Sequence, residues 1–144
     1  MTLFTDKLIL DANILFSFFK KDSVRQGIIE ELLNKGVELI SPKFIIDELL
    51  KNKDKIIKFS DISSENFSFL LSSLKSEVIL IPESEFEDFL SKANKLSPHS
   101  KDNPYFALSL SLDNSPIWSD ELAFKNQSKI KILSTEELLD VFSK

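Results

Sequence analysis

Leu8-Ile9-Leu10-Asp11-Ala12-Asn13-Ile14-Leu15 is the stretch from which the rest of the chain is read. Three apolar residues in a row fit a short buried strand, and the aspartate ends it. The pattern then turns helical and stays so through Phe19. Strand, acid, helix makes a unit that recurs outward from here. A second helix is expected over 22–35, closed by Gly36 in the left-handed position that glycine favours just past a helix. A strand follows at 37–40, after which Ser41 and Pro42 read as the N-cap and first position of a helix carrying Phe44, Ile45, Glu48 and Leu49. A lysine-rich stretch over 51–58 leads to another helix near 64–74. Val78-Ile79-Leu80-Ile81, β-branched and bounded by Pro82, is the clearest strand. Beyond it come a helix over 84–96, a polar loop over 97–102 and a helix from Asn103-Pro104 through Leu112. Ile117-Trp118 and residues 130–133 read as the last two strands, and Ser134 with Glu137 forms a capping box for the final helix.

Strand followed by helix, about five times over, is the α/β signature of a mainly parallel sheet covered on both faces. Right-handed crossovers place the carboxyl ends of the strands along one edge, and ligands bind beyond that edge where the strand order reverses. Asp11 and Asp120 each follow a strand directly, Asp102 opens an apolar helix, and Glu48 lies one turn beyond Phe44 and Ile45. Four acids from four segments are thus candidates for one site. Carboxylates brought together raise each other's pKa, and burial adds to the effect. Mg²⁺ or Mn²⁺ resolves that conflict, because hard cations prefer carboxylate and water oxygens. An aspartate between strand and helix also serves as an N-cap, worth about 1 kcal/mol. Taken singly, capping is the commoner role for Asp11, Asp102 and Asp120.

Composition sets outer limits. The 144 residues suit a single domain spanning 1–144, and the apolar fraction of 42%, with thirteen Phe, suffices for a core. Cysteine is absent, which excludes disulfides, thiolate catalysis and sulfur-bound zinc. Glycine occurs only at Gly27 and Gly36, so no glycine-rich loop cradles a phosphate, and P-loop and dinucleotide-binding readings fall away. No apolar run approaches the ~20 residues needed to span a bilayer, and MTLFTDKLILD lacks the layout of a secretory leader. A cytoplasmic protein without a membrane partner is expected. The net charge of −5 argues mildly against a general nucleic-acid binder, unless metal neutralises an acidic cluster.

Four segments together resemble the PIN-domain family. The Leu8 to Leu15 segment resembles its opening motif, an apolar strand, an aspartate, a small residue, an asparagine or threonine and an apolar helix. Ser41-Pro42 through Asp47-Glu48-Leu49-Leu50 is similar to the second motif, and Lys101-Asp102-Asn103-Pro104-Tyr105-Phe106-Ala107-Leu108 to the third. Ile117-Trp118-Ser119-Asp120-Glu121 resembles the fourth, and Lys131 to Leu138 the closing strand and helix. The resemblance runs over essentially the whole chain, in order. It implies a three-layer α/β/α sandwich and Mg²⁺- or Mn²⁺-dependent hydrolysis of single-stranded RNA. Carried over by position, Asp11, Glu48, Asp102 and Asp120 are the acidic set, with Asn13 and Ser119 holding ligands or waters in place. Some relatives carry a further acid where this chain has Asn103, which leaves the ligand in that loop and the number of metals open. Glu121 is a further candidate, and Asp47 points about 100° away from Glu48 around their helix.

Other features carry lighter expectations. Lys51, Lys53, Lys55 and Lys58 form a run that steers RNA or merely solvates a helix face, the second being commoner. The same holds for Lys20, Lys21 and Arg25, while His99 reads as an exposed loop residue. Trp118 and the phenylalanines are expected in the core rather than as stacking platforms. Phe16, Phe18 and Phe19 cannot all face one way on a helix, so at least one is expected at a subunit or partner interface, compatible with a homodimer. Small proteins of this kind often serve as the toxin of a toxin–antitoxin pair, which makes a small antitoxin protein an expected partner. The alternatives are a housekeeping RNA-processing nuclease and a catalytically silent module that binds RNA or protein. Phosphotransfer on Asp11 has less support, since Asn13 stands where a second aspartate belongs.

Overall fold

The computed structural model of the protein describes residues 5–20 and 23–142. Five strands form one sheet: β1 (Lys7–Leu10), β2 (Glu38–Pro42), β3 (Val78–Ile81), β4 (Ile117–Trp118) and β5 (Ile132–Leu133). Their order is β3-β2-β1-β4-β5, and every pairing is parallel. The chain therefore builds outward from β1 in one direction and resumes on its other side with β4. The reversal lies between β1 and β4, where Ile9 pairs with Ile117 and Leu10 with Trp118.

Alternation along these strands divides the interior in two. Leu8, Leu10, Leu39, Trp118 and Leu133 face one cluster, while Ile9, Ile40, Ile117 and Ile132 face the other. The first cluster is closed by α1 (Ala12–Phe16), α2 (Val24–Asn34), α3 (Ile45–Lys51), α4 (Lys53–Ser60), α5 (Ser64–Glu77) and α8 (Thr135–Phe142). The second is closed by α6 (Leu90–Asn94) and α7 (Asn103–Ser111). The result is the three-layer α/β/α sandwich. Phe19 and Phe67 stack with ring centroids 4.9 Å apart, tying the end of the first helical segment to α5. Such ring pairs contribute about 0.5–1.5 kcal/mol beyond their area.

Local chemistry explains most of the element ends. Ser23 caps α2, its Oγ accepting from Gln26 N–H at 3.1 Å. Gly36 sits at φ +80°, and the N–H groups of Gly36 and Val37 close back on the carbonyls of Leu33 and Leu32. That paired closure needs a left-handed residue, which is why glycine stands there. The capping box at α8 is complete, with Ser134 and Glu137 each accepting from the other's N–H at 3.1 Å. The expected start of α2 at Asp22, and Lys21 of the basic cluster, lie outside the described residues.

Two expectations are corrected by the structure. Ser41 and Pro42 do not cap a helix but finish β2, and α3 begins only at Ile45. Pairing with β1 stops at Ile40, whereas pairing with β3 continues to Pro42, beside which Lys43 N–H donates to Ile81 O at 2.8 Å. Proline is tolerated at such a strand end, and Ser41 spends its hydroxyl on Leu10 O instead. The expected helix over 84–96 is broken into 3-10 turns at Glu83–Glu85 and Glu87–Phe89 before the short α6. Phe86 leaves helical geometry at φ −131° and is buried, while the acids around it stay exposed. The lysine-rich stretch agrees with its commoner reading as a helix face, since most of it forms α4, with Lys55 and Lys58 exposed.

Candidate active site

Asp11 and Asp120 reach the carboxyl edge of the sheet from β1 and β4, on the two sides of the strand-order reversal. Asp11 caps α1, accepting from Ile14 N–H at 2.9 Å, so capping and site placement coincide in one side chain. It is buried, and desolvation pushes its pKa up. Hydrogen bonds from Ser119 and Ile14 and the charge of Arg25 oppose that rise, and the charge of Asp120 adds to it. Ser119, also buried, thus steadies Asp11 with its hydroxyl while its Oγ accepts from Glu121 N–H at 3.1 Å.

Asp102 precedes α7 without capping it. It is buried, and its Oδ2 has no hydrogen-bond partner among the described residues. Burial, followed by the charge of Glu121, pushes its pKa up, and Lys101 and His99 offset this only in part. A solvent-excluded carboxylate oxygen with nothing to accept from is costly unless a cation or proton reaches it.

Asp120 has the opposite surroundings. Arg25 binds it through Nη2 at 2.7 Å and Nε at 3.1 Å, and Thr135 donates both its N–H, at 2.6 Å, and its hydroxyl. Trp118 Nε1 donates in turn to Thr135 Oγ1 at 3.1 Å, so a buried ring anchors the threonine. Burial raises the Asp120 pKa, but the donors from Thr135 and Arg25 outweigh it and hold the carboxyl below its usual range.

Glu48 is exposed on the first turn of α3, not inward-looking as its apolar neighbours suggest, and Asp47 beside it is exposed too. Tyr105 of α7, which the third motif contains but to which the sequence assigns no role in the site, lies within reach of the charges of Asp11, Asp102 and Glu48. Its buried phenol is pushed well above its usual pKa by desolvation and then by the charges of Asp11, Asp102 and Glu48. Phe44 packs edge-on against its ring, with centroids 6.0 Å apart. The only clue in the sequence was an aromatic three residues after Asp102, on a mostly apolar helix.

Among the described residues no three acids or histidines are spaced to hold an ion together. Asp120 is engaged by Arg25 and Thr135, and Glu48 stands in solvent, so the four acids do not close into a cluster. The donor set nevertheless fits a hard divalent cation. All four are oxygen donors, two are buried against their electrostatic preference, and Asp102 Oδ2 is unpartnered.

The remaining candidates fall around this edge. Asn13 is exposed, and its carbonyl accepts from Arg25 Nη1 at 3.3 Å. Asn103 is occupied by Ser97 and by Asn94, to which it donates at 3.0 Å, and Glu121 is exposed. His99 is exposed and accepts from Lys101 N–H at 3.2 Å. Lys51 is exposed, whereas the Lys53 ammonium lies 5.7 Å from the centre of the Phe67 ring. Phe18 and Phe19 are buried and Phe16 is half-buried, while Phe59 and Phe69 stand out in solvent against the expectation of core phenylalanines.

No helix among the described residues is long and apolar enough to cross a membrane. No curated protein matches the chain. A family model described as the PIN domain matches residues 9–140, which takes in β1 at its start and α8 at its end. With its all-parallel sheet and Asp11 and Asp120 at the strand reversal, the chain belongs to the PIN-domain family, whose fold is of the nuclease type.

Proposed function

We propose that the protein is a metal-dependent endoribonuclease that hydrolyses single-stranded RNA, with Asp11, Glu48, Asp102 and Asp120 as its acidic set. The observation that carries the proposal is the pair of buried, disfavoured carboxylates, Asp11 and Asp102, one of them with an unpartnered oxygen. Mg²⁺ or Mn²⁺, when bound, supplies Lewis acidity and lowers the pKa of a coordinated water. Asp11 and Asp102 would hold the ion, and Glu48 and Asp120 complete the acidic surroundings in which water is oriented. Ser119 keeps the Asp11 carboxylate in place through its hydroxyl, and Asn13 lines the approach. Tyr105 remains protonated at neutral pH, so its phenol adds no charge among the acids and can only donate or accept a hydrogen bond.

Calorimetric titration with Mn²⁺, on wild type and Asp11→Asn, tests this reading. Saturable binding lost in the variant, together with Mn²⁺-dependent cleavage of single-stranded RNA, is the expected result. Absence of binding by folded wild type at millimolar metal would overturn it. A role as the toxin of a toxin–antitoxin pair is the more specific form of the proposal: expression alone should arrest growth, and a co-expressed small antitoxin should relieve it. One observation favours the silent binding module instead, namely the Arg25 guanidinium on Asp120, which supplies a protein cation where the nuclease needs a free acid. RNA held equally with and without metal, and never cut, is what that module would show.

A further inference from the structure

Beside Asp120 the surface opens into a groove of about 1170 Å³, larger than the ~300–1,000 Å³ of small-ligand pockets. At one end stand Asn13, Ser17, Arg25 and Thr135; the guanidinium bonds Ser17 Oγ at 3.0 Å, and Arg25 and Thr135 are the groups that bind Asp120. The far end belongs to α4 and carries Lys55, Lys58 and Phe59, with Lys20 and Phe16 on the facing wall. No acid occurs among its described lining residues, although the chain as a whole carries a net charge of −5. Phe59 is 81% exposed, and the Lys20 ammonium lies 5.5 Å from its ring centre.

An exposed ring costs solvation and contributes nothing to the core. Its place beside the Lys20 ammonium, in a groove that Lys55 and Lys58 also line, joins a flat apolar face to phosphate-binding charges. Stacking on such a face requires a base that is not already stacked in a duplex. Cations along the walls track a backbone of phosphates. We infer that this groove is the entry subsite for single-stranded nucleic acid, with Lys20, Lys55 and Lys58 on phosphates and a base stacked on Phe59. Arg25 stands where the strand passes from the groove to the acids. The inference deepens the nuclease reading and rests on it for its biological sense, but binding here needs neither metal nor cleavage.

The test is fluorescence anisotropy of a labelled twelve-nucleotide oligouridylate with the full chain in EDTA, over a range of salt. Phe59→Ala should weaken binding by about tenfold while leaving the salt slope unchanged, as expected for loss of one stacked base. A Lys55→Glu/Lys58→Glu double variant should weaken it more and make the slope of log K on log salt shallower by about 1.4, the release expected from two phosphates of a single strand. Both changes are at exposed positions, and circular dichroism confirms folding. Unchanged affinity in both folded variants would overturn the subsite, as would absence of oligonucleotide binding by wild type. Equal displacement by polyglutamate, with Phe59→Ala neutral, would likewise overturn it and mark the groove as a surface for an acidic protein segment. Failure of the nuclease reading looks different. Cleavage would then survive Asp11→Asn or never occur, while anisotropy in EDTA stayed as described.

Discussion

Asp102, at the start of α7, and Asp120, just past β4, are the same residue type in opposite electrostatic circumstances. Asp102 is buried at the start of α7, feels the repelling charge of Glu121, and keeps an oxygen without a partner among the described residues. Asp120 is partly open, yet receives donors from Arg25 and Thr135 and holds its charge easily. One carboxylate lacks a cation and the other already has one. On the proposed nuclease reading, divalent metal would gain most at Asp102, and would meet a competing guanidinium at Asp120, whose charge, with that of Arg25, also reaches Asp11.

The contrast can be broken most severely at Asp11. Asp11→Asn keeps an oxygen for the Ile14 N–H but loses the buried charge, and it should lower Mn²⁺ affinity and RNA cleavage by about 100-fold or more, read by calorimetry and a gel assay. Ser119→Ala leaves the charge and removes its steadying hydroxyl, which should weaken metal binding about tenfold. Arg25→Gln addresses the other side. With its competing cation gone, Asp120 should join the metal's surroundings, and Mn²⁺ affinity should rise severalfold by calorimetry. A fall in affinity would show that Arg25 organises the acid rather than shielding it.

Thermal unfolding in EDTA against pH sharpens the comparison with the smallest effects. Asp11 and Asp102 have folded pKa values above the ordinary 3.8. A group of that kind adds stability below its unfolded value and loses it as pH rises through the folded one. Asp120 and Glu137 have lowered values, so their contribution is present above the unfolded value and is lost as pH falls through the folded one. On acidification from neutrality the melting temperature should first rise, then fall, and Asp11→Asn should reduce the rise. Mn²⁺ at about 100 times its dissociation constant should add about 2.7 kcal/mol to wild type at neutral pH.

The sequence by itself carried the order of strands and helices, because apolar runs, Gly36 and the Ser134–Glu137 box are local signals that act over a few residues. It also singled out Asp11, Asp102 and Asp120 by their places beside elements, and Glu48 by its place on a helix, as candidates. Ser41-Pro42 misled because a proline that starts a helix and one that ends a strand look alike until neighbouring strands are known. Residues 84–96 misled because a helical spacing of apolar residues does not reveal that Phe86 must leave helical geometry to reach the core. Only the tertiary structure decided that Tyr105 sits among the acids, that Arg25 lies on Asp120 across 95 positions of sequence, and that Phe59 stands in a basic groove. Those are matters of burial and of charges brought together by distant segments, and no local pattern records which side chains the fold will leave without partners.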